Sequence, residues 1–191
     1  MGNVLRLVSA VPPSVNHYLA YRGVMRGGKP MAMSYVTKQA LDYKKNFAEY
    51  VEQEIIRQGW DVEPTKHLHF YVDATFYFAR VDQDANNYFK VLLDAITDTK
   101  KIWLDDNVVC ERVQRILYDN VSPRIELTIH PTGYIGIFDD VSQYDKFISR
   151  CVGCVRYERN CSILKKAYEG RIQDDVAQNM CNKYKAKTKE I

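Results

Sequence analysis

The chain has 191 residues, 46% of them hydrophobic, and a net charge of +3. These values set a soluble globular chain of one domain plus a smaller appendage, with a charge that admits nucleic acid without demanding it. No apolar run is long enough for a bilayer, the start lacks a signal-like apolar core, and five cysteines argue against a disulfide framework, so the expectation is a cytoplasmic protein with no membrane partner.

Val4 to Val8 is apolar with one charge and is closed by Pro12-Pro13, which predicts a first strand with an extended exit. Ser14 and Asn16 then offer polar groups at the strand's end, to hold a phosphate or simply to make a turn. From Tyr21 to Pro30 the Gly27-Gly28 pair punctuates a hairpin tip or mobile loop carrying Arg22, Arg26 and Lys29 beside Tyr18 and Tyr21. Such a loop suits contact with a DNA backbone and exposed bases, and equally a solvated surface. Thr37 caps a predicted helix over Lys38 to Arg57, ended by Gly59, with Ala40, Leu41, Phe47, Val51, Ile55 and Ile56 on its packing face. His67 to Ala79 alternates strictly and predicts a strand, with His67 and His69 as surface residues at its far end.

The stretch from Asp82 to Asp106 organises the chain. Its four carboxylates Asp82, Asp84, Asp105 and Asp106 bracket an amphipathic helix beginning near Asn86. Phe89, Leu92, Leu93 and Ile96 face a core, while Asn87, Lys90 and Asp94 share another face. A strand, an acidic turn, a helix and a second acidic turn can fold the two Asp clusters beside each other. Crowded carboxylates repel unless a hard cation such as Mg²⁺ lies between them. Taken singly, Asp84 reads as a helix cap and Asp105-Asp106 as a turn. Two further strands, Val108 to Leu117 and Arg124 to Ile129, follow around a turn at Asp119-Asn120 and Ser122-Pro123. The predicted class is α/β, a mixed β-sheet with flanking helices over residues 1–131.

Residues 132–191 form a predicted, mainly helical extension. Cys151, Cys154, Cys161 and Cys181 make a Cys-x-x-Cys pair plus two further thiols, a metal-site signature suited to Zn²⁺ or an iron–sulfur cluster. On an uninterrupted helix Cys161 would lie about 15 Å along the axis from Cys151, so shared ligation needs a break, and Gly153 is the place for it. Without a break the cysteines pack as small apolar residues, or serve as an interaction or redox-sensing appendage. Arg150, Arg156, Tyr157, Arg159, Lys165, Lys166 and Arg171 surround them and can extend a DNA footprint. Lys183, Lys185, Lys187 and Lys189 predict a solvated, frayed tail.

The run Asp84-Ala85-Asn86-Asn87-Tyr88-Phe89-Lys90, then Leu93-Asp94-Ala95, then Asp105-Asp106, resembles the RusA-like endodeoxyribonucleases, which resolve Holliday junctions. Pro12-Pro13-Ser14-Val15-Asn16-His17-Tyr18 is similar to that family's Pro-Pro-Ser-x-Asn signature, and the resemblance covers roughly residues 4 to 130. It implies metal-dependent, structure-selective cutting of branched DNA in recombination and repair, by a homodimer whose paired sites match a junction's symmetry. Lys90, Asp84 and Asp106 would carry catalysis. Mg²⁺, for which Mn²⁺ can substitute, would be held by Asp82, Asp84, Asn86, Asp105 and Asp106. Asn16, Arg22, Arg26, Lys29, Arg80 and Asn87 would contact DNA. Aligned without a gap, Asn86 stands where the family usually has Asp; a local bulge would instead make Asp82 and Asp84 the pair. Asn86 also supports a rival, a noncatalytic branched-DNA-binding protein with a degenerate metal site.

Overall fold

The computed structural model describes residues 4–61 and 68–187. The described residues fold as two compact units, 4–61 with 70–130, and 68–69 with 131–187.

Alternating hydrophobicity builds the sheet of the first unit. β1 (Leu5–Ala10) buries Leu5, Leu7 and Ser9 and leaves the residues between them exposed. β4 (Phe70–Phe78) alternates in the same way, with Phe70, Val72, Ala74, Phe76 and Phe78 fully buried. With β5 (Val109–Tyr118) and β6 (Arg124–Pro131) these strands form one sheet in the order β1-β6-β4-β5. β1 runs antiparallel to β6 and β4 parallel to β5, so the sheet is mixed, as expected. The first strand begins and ends later than Val4 to Val8, because its pairing with β6 extends to Ala10 opposite Arg124.

The helices follow local signals. The Thr37 hydroxyl accepts from the Ala40 N–H and opens α2 (Lys38–Gln58); Gly59, at φ 65°, closes it in the left-handed conformation that favours glycine. α2 packs on β1 and on α3 (Asn86–Asp98), burying Ala40, Phe47, Val51 and Ile55. Leu41 and Ile56, expected on that face, are exposed instead, since the buried stripe is narrower than the apolar set. α3 buries Tyr88, Phe89, Val91, Leu92, Leu93, Ala95 and Ile96, and connects the parallel strands β4 and β5. Between β1 and α2 lie a one-turn helix, α1 (Val15–Tyr18), and a separate two-stranded sheet, β2 (Leu19–Arg26) with β3 (Lys29–Val36). The expected hairpin tip is therefore present, with Gly27 and Gly28 at φ 58° and 77°, but it ends two full eight-residue strands.

The second unit has the helices α4 (Val141–Cys151) and α5 (Ser162–Tyr168) and a tiny hairpin, β7 (Val176–Ala177) with β8 (Met180–Cys181). Asp140 caps α4 by accepting from the Gln143 N–H at 2.8 Å. A small core of Phe138, Phe147 and Ala167 holds the unit, edged by Ile137, Tyr144, Ile148 and Leu164. Gly136, at φ 56°, lets the chain pass against the Ala167 carbonyl, where a Cβ would collide with backbone. Two expectations change here. His69 is half-buried rather than on the surface: it stacks on Tyr134 with centroids 5.3 Å apart, and its Nδ1 is buried without a hydrogen-bond partner. The lysine-rich end is tied down as far as Lys187, whose N–H donates to the Gly153 carbonyl at 2.9 Å, while the Val155 N–H donates to the Lys185 carbonyl at 2.9 Å. His67 and Lys189 lie outside the described residues.

Candidate functional site

The parallel pairing of β4 and β5 decides which acidic residues can meet. Phe70 faces Val109, so β5 starts beside the start of β4, whereas Asp84 follows the far end of β4. α3 runs back over about 20 Å between them, at 1.5 Å per residue. A short 3₁₀ turn at Asp106–Val108 then sets Asp106 against the flank of α3.

On that flank a charged group assembles. The Lys90 ammonium donates to Asp94 Oδ1 at 2.7 Å and lies 3.6 Å from Asp106 Oδ2. The Tyr18 hydroxyl, at the end of α1, donates to the other Asp94 oxygen at 3.1 Å. Asp94 thus accepts from two sides and fixes the lysine head, an i,i+4 pairing that α3 itself provides. Hydrogen bonding to Asp94 is the largest influence raising the Lys90 pKa, with the Asp106 charge adding to it. Burial raises the Tyr18 phenol, and Asp94 adds to the rise. Glu111, on β5, joins this group. Although exposed as a residue, its carboxyl is raised by desolvation first and then by the Asp106 charge, with Lys90 opposing. The sequence marked Tyr18 only as an aromatic beside the basic loop, and Glu111 was not singled out. Tyr18 lies 76 positions from its partner Asp94, and Glu111 is an ordinary polar residue of a strand.

The other predicted residues are placed differently. Asp84 Oδ1 accepts from the Asn86 N–H at 3.0 Å and organises the entry to α3; Asp105 Oδ1 accepts from the Asn107 N–H at 3.0 Å and caps the 3₁₀ turn. Asp82 is exposed and pairs with Arg80 at 3.1 Å. Asn86 is exposed and Asn87 half-buried in the first turn of α3. Among the described residues, no three Asp, Glu, His or Cys side chains stand as a ready coordination sphere. The donors are nevertheless hard oxygens, and the like-charge pressure of Asp106 on Glu111 is what a divalent cation relieves, so the set fits Mg²⁺ in chemistry.

Of the residues expected to contact DNA, all but the half-buried Asn87 are exposed. Asn16 projects from α1, and Arg22, Arg26 and Lys29 lie on the β2–β3 hairpin. The Arg22 guanidinium sits 5.8 Å over the Tyr35 ring, so the hairpin presents cation and aromatic together.

The four cysteines of the second unit come from separate elements. Cys151 ends α4, Cys154 pairs with Ala186 in a bridge, Cys161 precedes α5 and Cys181 lies on β8. The helix does break, one residue after Cys151 and beside Gly153.

A model of the endodeoxyribonuclease RusA family matches residues 11–130. No curated protein matches the chain. No described helix is long and apolar enough to cross a membrane.

Proposed function

The chain belongs to the endodeoxyribonuclease RusA family, whose activity is Holliday junction resolution, and we propose that it is a Mg²⁺-dependent, structure-selective nuclease that cuts four-way DNA junctions. The observation that carries the reading is Lys90, held at a solvent-open surface between Asp94 and Asp106 within the matched region.

Asp105 and Asp106, with Glu111 adjoining, would hold the cation from the β5 side, and Asp84 with the Asn86 carbonyl, or Asp82 in the alternative register, would complete the site once the turn before α3 moves toward them. When bound, Mg²⁺ lowers the pKa of a coordinated water and stabilises charge on the scissile phosphate; Mn²⁺ can replace it. Asp94 and Tyr18 orient the Lys90 ammonium, which neutralises charge developing on a phosphate oxygen. The lysine is fully charged in its working range, because Asp94 raises its pKa. Arg22, Arg26 and Lys29 on the hairpin, with Asn16, Arg80 and Asn87, bind the backbone and position the junction. A homodimer would place two such sites for paired cuts, and recombination or repair in the cytoplasm is the setting we infer.

A noncatalytic junction binder is the second reading, and Asn86 favours it, since an amide brings no charge to the cation. The experiment is cleavage of end-labelled four-way junctions with Mg²⁺ and with EDTA. Metal-dependent paired cuts support the nuclease. Salt-sensitive binding without cutting at any Mg²⁺ or Mn²⁺ concentration supports the binder.

A further inference from the structure

The second unit has little to hold it together. Among its described residues the buried apolar ones are Ile135, Phe138, Phe147, Cys154, Ile163 and Ala167, and one of the six is a cysteine. Units this size with small cores are commonly stapled by a metal or disulfides. Here four thiols converge. Cys151, Cys154, Cys161 and Cys181 all line one cavity of about 20 Å³, with Arg156 and Lys183 on the same wall. That volume admits a single water-sized sphere and no organic ligand.

We propose that Cys151, Cys154, Cys161 and Cys181 bind one structural Zn²⁺ that ties α4, α5, β8 and the 154–186 bridge into one unit. Tetrahedral four-sulfur coordination is the closed, structural form of a zinc site, with Zn–S near about 2.3 Å. The sulfurs are not yet at ligand distance from a common centre, consistent with the lack of a ready coordination sphere among the described residues. All four line the same cavity wall, and a bound Zn²⁺ would draw them together by side-chain rotation.

The backbone around the sulfurs favours a metal site over apolar packing. The Cys154 N–H donates to the Cys151 carbonyl at 2.8 Å, which turns the chain back beside the end of α4. The Val155 N–H donates to the Lys185 carbonyl at 2.9 Å and the Tyr184 N–H to the Cys181 carbonyl at 3.3 Å, so the segment that follows Cys181 is tied against the turn that carries Cys154. Binding replaces up to four S–H protons by Zn–S bonds and releases the protons to solvent. It leaves a centre of net charge −2 that Arg156 and Lys183 offset.

The test uses the full chain purified under reducing conditions. Elemental analysis should find one zinc per chain. Exchange with Co²⁺ should give the intense visible and thiolate charge-transfer bands of a tetrahedral sulfur site. Titration with a mercurial should release the metal in step with four thiols, leaving the signal of Cys110 separate. Cys110→Ser should retain the zinc and Cys154→Ser should lose it; the wild-type titration decides the matter if Cys154→Ser does not fold. Absence of zinc and cobalt binding overturns the proposal. So does a mass lower by two hydrogens per cysteine pair, which marks disulfides, or iron with a visible chromophore, which marks a cluster.

Discussion

Replacing Lys90 by Met removes one positive charge while keeping an apolar stem of similar length. The structure gives this change two effects of opposite sign. At 3.6 Å from Asp106 Oδ2, the ammonium competes with any cation for that carboxylate. Coulomb attraction at this separation is about 1 kcal/mol in a water-like dielectric and about 4–5 kcal/mol at an effective constant of 20. Lys90 is 56% and Asp106 33% exposed, so the low end applies. Mg²⁺ should therefore bind Lys90→Met up to about fivefold more tightly, the equivalent of about 1 kcal/mol. Cutting should nevertheless slow by about 10²–10³, the usual cost of losing one preorganised charge donor at a developing oxyanion. Stability should barely change, because an exposed i,i+4 pair contributes about 0.3–0.5 kcal/mol. The assay is single-turnover junction cleavage over a Mg²⁺ titration, with binding measured separately in EDTA. Wild-type cutting by Lys90→Met would refute the role given to the ammonium. Weaker Mg²⁺ binding would refute the competition at Asp106.

Asp106→Asn should abolish cutting with junction binding intact; retained cleavage in the same gel assay would take Asp106 out of the site. Asn86→Asp restores one negative charge and should lower the Mg²⁺ concentration needed for half-maximal cutting, which a metal titration measures. Asp73 is held down to about 2 by hydrogen bonds from Arg112 first, then His130 and Gln114, with burial opposing. Its folded pKa lies below the ordinary 3.8, so its contribution is present above about pH 4 and lost as pH falls toward about 2. That contribution is about 1 kcal/mol after solvent screening, and Arg112→Met should flatten the acid limb of a melting-temperature profile by that amount. Gly59→Ala forces a Cβ into the left-handed region at φ 65° and should cost about 1 kcal/mol, read as a lower midpoint in urea.

Elements with a local cause were legible in the sequence. Thr37 and Gly59 bounded α2 to within a residue, and the alternation through Phe70 to Phe78 marked a strand buried on one face. The β2–β3 strands were not legible, because LAYRGVMR and KPMAMSYV have exposed residues on both faces and no alternation. At the site, Asn87, Lys90 and Asp94 could be placed on one face of α3 from spacing alone. The approach of Asp106 to Lys90 depends on where the parallel pairing starts β5, and spacing carries no register. The lysine-rich end misled for a related reason: its backbone pairs with residues 153–155, which composition cannot show.

Among the described residues the β2–β3 hairpin has no third strand, and two strands alone are marginally stable in water. Its amides should therefore exchange with deuterium through local opening, at free energies far below that of global unfolding. β4, hydrogen-bonded between β6 and β5, should exchange only when the whole sheet unfolds. The two rates separate cleanly within one sample. A junction resting on Arg22, Arg26 and Lys29 would slow exchange over residues 19–36 and leave β4 untouched, so deuterium uptake maps the bound face without any strand being cut.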